Sequence, residues 1–174
     1  MPAKTKGFTL LEIMVVIGLM ALVATIVVPR IRKRPVPLRQ QFLKEINNLA
    51  RTAQLNALMT SKLHRVIFDF TKQRVGIEID EGVKDSQGKA KFKPVSIPTV
   101  KTSYPFIDEL EMTGFNVEGK NLLRQAEGIR YTGAWFYIVP EGLAQATTIT
   151  IRDQASHNIF TVELNPFTAR FSIV

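Results

Sequence analysis

The ionisable side chains of this 174-residue chain offer little of the chemistry that enzymes use. It contains no cysteine and two histidines, His64 and His157, each at the edge of a predicted strand, so we expect surface or structural roles for both. Asp80, Glu81 and Asp85 could supply oxygen ligands to Ca²⁺, but their spacing does not match an EF-hand loop and favours a solvated acidic turn. No catalytic or phosphate-binding motif occurs either. We therefore expect neither an enzyme nor a bound cofactor or metal.

The most unusual ionisable residue is Glu12, which lies in an otherwise apolar run from Phe8 to Val28. As a helix this run would be about 31 Å long, close to the thickness of the hydrocarbon core of a bilayer. We therefore predict a membrane-spanning helix. A carboxylate at the centre of such a helix costs about 2.5–3.5 kcal/mol on insertion scales, and less near the boundary. Glu12 thus either snorkels or is protonated without a function, or it pairs with a cation.

The net charge of +8 is concentrated in two short segments that flank the apolar run. Residues 1–7 carry +2 and residues 30–39 carry +5, whereas residues 40–174 carry only +2. This distribution indicates contact with a membrane surface or an acidic partner more than with nucleic acid. The candidate contact residues are basic and lie directly after the apolar run: Arg30, Arg32, Lys33 and Arg34.

The segment Lys6-Gly7-Phe8-Thr9-Leu10-Leu11-Glu12 resembles the type III signal of prepilins and pseudopilins. The resemblance implies that a prepilin peptidase cuts between Gly7 and Phe8 and that Phe8 is N-methylated. It also implies that Glu12 attracts the amino terminus of a neighbouring subunit, which would supply a cation for the carboxylate. Pro29 is similar to the proline at which the N-terminal helix of that family bends or loosens.

The same resemblance implies a single-pass protein of the bacterial inner membrane with its head in the periplasm. The charge distribution disagrees, because five basic residues follow the apolar run and two precede it. Since positive charge favours the cytoplasmic side, this rule taken alone places the head in the cytoplasm. We give more weight to the peptidase motif, which is longer and more specific.

The pattern after the apolar run changes from helical to strand-like. A helix is predicted from about Leu38 to Ser61, with one apolar face formed by Phe42, Ile46, Leu49, Ala53 and Ala57. Period-two alternation over residues 66–70 and 75–79 predicts a β-hairpin, and residues 80–103 read as a long variable loop with weak strand character. Further strands are predicted at Glu111–Val117, Gly128–Tyr131, Ala134–Val139, Thr147–Arg152, Ile159–Leu164 and Ala169–Ile173.

These elements predict an α+β fold, in which a long pilin-like N-terminal helix precedes an antiparallel β-sheet or β-sandwich head. We expect a leader at 1–7, an assembly helix and basic neck at 8–34, a second helical segment at 35–62 and the head at 63–174. In the aromatic run Trp135-Phe136-Tyr137, alternation sends Trp135 and Tyr137 to one face. Core packing is the default interpretation of this run, and a partner surface built from those two rings is the alternative.

The helix-then-strands arrangement resembles the GspH-like and FimT-like minor pseudopilins. Ala50-Arg51-Thr52-Ala53 and Pro140-Glu141-Gly142 are similar to short motifs of that branch. The resemblance implies a structural minor pseudopilin of a type II secretion system, which assembles with other pseudopilins after peptidase cleavage and contacts inner-membrane lipids. Two alternatives stay open. One is a minor type IV pilin in pilus biogenesis or DNA uptake, with nucleic acid as a partner. The other is an anchored binding protein that forms no fibre.

Overall fold

The computed structural model describes residues 10–31, 37–84, 86–123 and 132–174, with the side chains of the first helix described as far as Val23. The chain divides into two compact units, Met1–Val36 and Pro37–Val174. The described part of the first unit is one helix, α1 (Leu10–Ile31). The second unit is the head, which consists of a helix and two antiparallel β-sheets.

The head begins with helix α2 (Leu38–Thr60). Pro37 takes the N-cap position, where its missing N–H is no loss, and its carbonyl oxygen accepts from the backbone N–H groups of Gln40 and Gln41. The helix ends at Ser61, which adopts a left-handed conformation with φ of 51°. One face of α2 is buried in the head, and it consists of Ile46, Leu49, Ala50, Ala53 and Ala57. The small alanines allow the strands to approach the helix closely.

Ten strands follow in the described residues: β1 (His64–Asp69), β2 (Arg74–Lys84), β3 (Ala90–Pro94), β4 (Ser103–Pro105), β5 (Leu110–Val117), β6 (Lys120–Asn121), β7 (Gly133–Ile138), β8 (Thr147–Asp153), β9 (Ile159–Asn165) and β10 (Arg170–Ile173). Sheet 1 has the order β3-β2-β1-β7, with β4 also paired to β2. Sheet 2 has the order β10-β9-β8-β5-β6.

The core lies between the inner faces of the two sheets and the buried face of α2. The rings of Phe68 in sheet 1 and Phe115 in sheet 2 meet edge to face, with 5.1 Å between their centroids. A second edge-to-face pair, Phe136 and Phe171, joins the two sheets at 5.8 Å. Aromatic pairs of this geometry contribute about 0.5–1.5 kcal/mol beyond the area they bury. Among the residues whose side chains are described, all buried apolar residues of the core belong to the second unit.

Side-chain amides of α2 bind the backbone at the β10 end of sheet 2. Asn47 acts as a backbone mimic, because its Nδ2 donates to the carbonyl oxygen of Phe171 at 3.1 Å and its Oδ1 accepts from the same residue's N–H at 2.6 Å. Farther along α2, Gln54 Nε2 donates to the carbonyl oxygens of Gly142 and Phe167, at 2.8 and 2.9 Å. These bonds fix the helix against one sheet edge and two turns.

The predicted α+β class is confirmed, as are α2, its apolar face and the hairpin, in which Phe68 pairs with Val75 and Val66 with Ile77. The predicted loop at 80–103 is partly wrong, because β2 continues to Lys84 and β3 pairs with it across a register shift. The short strands β4 and β6 were not predicted. The predicted strand Gly128–Tyr131 lies outside the described residues.

Candidate assembly surfaces

Helix α1 presents apolar side chains in every direction. All described side chains from Leu10 to Val23 are exposed, and the exposed fraction of the larger apolar ones ranges from 47% at Val16 to 78% at Leu10. Glu12 lies in the first turn of this helix, where a carboxylate is favoured by the partial positive charge of the helix N-terminus. A helix that is apolar on all sides is stable only when other apolar surfaces cover it.

Several predicted site residues lie where the structure gives no side-chain geometry. Gly7 and Phe8, the expected cleavage and methylation site, are outside the described residues, as are Arg32, Lys33 and Arg34. Pro29 and Arg30 belong to the backbone of α1, which continues through Pro29 and ends two residues later. Within the described part of the chain, no helix combines the length and hydropathy that a bilayer span requires. The spanning helix predicted over residues 8–28 is thus not confirmed.

A second exposed apolar surface, which we name the α2 patch, lies on the head. It consists of side chains from the C-terminal half of α2 and from two neighbouring turns: Leu55, Leu58, Met59, Leu143 and Phe167. Met59 is 85% exposed and Phe167 is 77% exposed. The patch is continuous because Gln54 binds both turns and Leu58 lies over Gly142. The sequence did not predict this patch. Apolar residues recur at helical spacing whether they face the core or the solvent, so the pattern alone does not show which of them are exposed.

The outer face of sheet 1 carries the two aromatic residues that we considered, from the sequence, as an alternative partner surface. Trp135 and Tyr137 do share this face, whereas Phe136 is fully buried, as alternation predicts. The guanidinium of Arg65 lies over the rings of Phe92 and Trp135, at 4.1 and 5.2 Å from the centroids. Its Nη2 also lies 2.7 Å from a carboxylate oxygen of Glu78. Arg65 partly covers the rings of Phe92 and Trp135, so this cluster stabilises sheet 1 and leaves less of the two rings for a partner.

The histidines and acidic residues have separate structural settings. His64 is fully buried, which leaves the structural one of its two expected roles, and its Nδ1 lies 2.9 Å from the carbonyl oxygen of Lys62. Burial lowers the pKa of His64, and that hydrogen bond opposes the effect in smaller measure. His157 is exposed.

The acidic residues considered as Ca²⁺ ligands are engaged elsewhere or not described. Glu81 is paired with Lys91 at 3.2 Å, and Asp80 Oδ1 accepts from the N–H of Gly82. No group of acidic or histidine side chains suited to a metal occurs in the described ranges, and Asp85 lies outside them.

Comparison with known proteins identifies the N-terminal signal directly. The family model for the prokaryotic N-terminal methylation motif matches residues 2–28. The chain therefore carries the N-terminal signal typical of type IV pilin-like proteins. No curated protein matches the chain in sequence.

Two similar solved structures are both of the minor pseudopilin EpsH from the type 2 secretion system of Vibrio cholerae. One has a TM-score of 0.49 and 8% sequence identity, with 78% of this chain and 94% of that chain covered. The other has a TM-score of 0.47 and 10% identity, with 78% of this chain and 89% of that chain covered.

Proposed function

We propose that this chain is a structural subunit of a pilus-like fibre, made as a precursor and assembled through its N-terminal helix. The observation that carries the proposal is the methylation motif at residues 2–28, which extends over most of the exposed apolar helix α1. A helix of this kind must be covered either by lipid or by other helices. A subunit held in the inner membrane before assembly, and in a fibre afterwards, would satisfy that requirement in both states.

In this proposal Glu12 sets the register between subunits. Cleavage after Gly7 would create a new amino group on Phe8, four residues before the carboxylate. Pairing of Glu12 with the amino group of a neighbouring subunit would compensate the cost of burying the carboxylate. The α2 patch would then be a second surface covered by neighbours, since full burial of a leucine or methionine contributes about 1.5–3 kcal/mol. The mechanism is polymerisation, and none of these roles requires catalysis, a cofactor or a metal.

More specifically, we propose that the chain is a minor pseudopilin of a type II secretion system. Its support is the pair of short motifs named above, which the fold brings together at one place. Ala50 and Ala53 are buried in the face of α2, and Gln54, which follows them, donates to the carbonyl oxygen of Gly142 in the second motif. Gly142 has φ of +81° and lies against Leu58, so the turn and the helix form one packing unit.

Mass spectrometry of the mature N-terminus tests the processing step. The full chain, co-expressed with a prepilin peptidase, should lose residues 1–7 and carry one methyl group on Phe8. A Gly7→Asp variant should stay uncut, whereas Glu163→Gln, an exposed carboxylate change on β9, should be processed like the parent. An uncut parent chain would refute the fibre proposal and favour an anchored binding protein.

Incorporation into fibres tests the role of Glu12. Glu12→Ala subunits, once processed, should be recovered in sheared fibres far less than the parent, because the carboxylate no longer attracts the neighbouring amino group. Glu163→Gln is again the matched control, as it removes a carboxylate from the head alone. A reporter fused to Val174 tests the location of the head: activity restricted to the cytoplasm would overturn the export step.

A minor pilin that binds DNA is the second candidate, and it is favoured by the lysines around β3. Lys91 and Lys93 both face Glu81, at 3.2 and 4.0 Å, so two cations share one carboxylate and the local charge is positive. Gel-shift assays with the Lys91→Gln/Lys93→Gln double variant and the parent would separate the candidates. Loss of a salt-sensitive shift in the double variant would support DNA capture. No shift by the parent at low salt would remove it.

A further inference from the structure

An open cleft of about 320 Å³ lies in the head between the two sheets, beside the N-terminal part of α2. Apolar side chains from α2, from the β4–β5 region and from β8 form most of its wall: Phe42, Ile46, Phe106, Leu110, Met112 and Ile151. Its size falls at the lower end of the range for sites that hold small molecules or peptide side chains. No assembly role described above uses this cleft.

The rim of the cleft is acidic. Three carboxylates line it, Glu45, Asp108 and Glu111, and the described lining residues include no lysine or arginine. Glu111 makes a loose ion pair with Arg152 at 3.7 Å, and both side chains are about half exposed. In the described part of the chain, the carboxylate of Asp108 has no hydrogen-bond or ion-pair partner.

The chain itself contains a segment of complementary chemistry. Residues 32–37 read Arg-Lys-Arg-Pro-Val-Pro, so three cations stand directly before a short apolar stretch. The two prolines favour an extended backbone in this stretch, which lowers the entropy lost on binding. At about 3.1 Å per residue the six residues would extend roughly 19 Å, which allows Val36 to enter the cleft while the cations meet its rim.

We propose that this cleft receives the Arg32–Pro37 segment of a second copy of the chain. The proposal rests on the fibre function above, and it makes the neck of one subunit the ligand of another subunit's head. Val36 and Pro35 contact the apolar wall, while Arg32, Lys33 and Arg34 face the carboxylates of the rim. Such a contact gives the basic neck an acidic partner within the assembly.

Disulfide trapping between two full-length copies tests the arrangement, because the chain has no cysteine of its own. One copy carries Val36→Cys, and the other carries Gln154→Cys at the wall of the cleft. Mixed copies should form a crosslinked dimer under mild oxidation. Replacing Gln154→Cys by Glu163→Cys on the outside of β9 should give none. Equal crosslinking by the two cysteines would overturn the proposal.

A chain that carries both Val36→Cys and Gln154→Cys tests a different occupant. If it forms a disulfide within one copy while mixed single variants form none between copies, the chain's own neck fills the cleft and the proposal is overturned.

Peptide binding provides an independent measurement. A labelled peptide of residues 30–38 should bind the head Pro37–Val174, the unit that contains every described core residue, and binding should weaken as salt rises. Glu45→Gln and Asp108→Asn should each weaken it about 1.5- to 5-fold. Gln154→Trp should block it by filling the opening, whereas Glu163→Gln should leave it unchanged. Failure of the peptide to bind, or equal binding by all these variants, would refute the site. The N-terminal mass spectrum and fibre recovery would still report separately on the fibre function.

Discussion

Replacing Asn47 by alanine should destabilise the head by about 1.5 kcal/mol, although the residue is not part of the hydrophobic core. Its side chain makes two hydrogen bonds to the backbone of Phe171, at 3.1 and 2.6 Å. Each hydrogen bond contributes about 0.5–1.5 kcal/mol net, so the loss of both costs about 1–3 kcal/mol. Alanine is the better helix former by up to about 0.7 kcal/mol, which offsets part of this cost. The helix and the last strand would then lose their polar connection.

The neighbouring Asn48→Ala variant provides the control, because Asn48 is exposed on the same helix. It should leave stability unchanged or raise it slightly, since only the helix-propensity effect remains. Urea unfolding of the head, followed by the fluorescence of Trp135, measures both variants. The midpoint should fall for Asn47→Ala with little change in slope. If the two variants differ by less than about 0.5 kcal/mol, the backbone-mimic role of Asn47 is wrong.

The remaining predictions concern one buried histidine and one turn. The pKa of His64 is lowered from its ordinary value of 6.5, so as pH falls the unfolded chain binds the proton first. The contribution of neutral His64 to the free energy of unfolding should be fully present above about pH 6.5 and should be lost as pH falls through the pKa of the folded state. Urea midpoints measured at several pH values should show this loss in the parent and in His157→Asn, but not in His64→Gln. Gly142→Ala should lower the urea midpoint more than Gly88→Ala, because both have positive φ but only at Gly142 would the added Cβ crowd another side chain, at 3.0 Å from Leu58. Equal losses would show that the turn does not pack on α2.

The elements of the head that bury one face could be predicted from the sequence. The spacing of Ile46, Leu49, Ala53 and Ala57 predicts the buried side of α2, because a helix packed on one side repeats its apolar residues every three or four positions. Alternation predicts β7 for the same reason, at a period of two. In both cases the local pattern reflects the burial of that same segment.

Features that depend on distant segments could not be predicted in this way. β3 contains lysine on either side of Phe92, and its strand character comes from pairing with β2, so the sequence indicated a loop with only weak strand character. His64 is buried because α2 supplies Asn56, whose Oδ1 lies 3.1 Å from its Nε2. The acidic cleft draws its lining from α2, the hairpin and sheet 2, which are far apart in sequence. The N-terminal signal is the opposite case, since a short contiguous motif identifies it completely.

Two of the outer strands in the described residues, β10 and β3, show how neighbouring heads in the proposed fibre could avoid pairing through these edges. At β10 an amide from the helix occupies backbone groups that another chain's strand would otherwise use. At β3 two lysines and a terminal proline make strand addition from another copy unfavourable. At these two edges, crowded subunits of the proposed fibre would therefore not exchange strands, and contacts between subunits would be made by other surfaces.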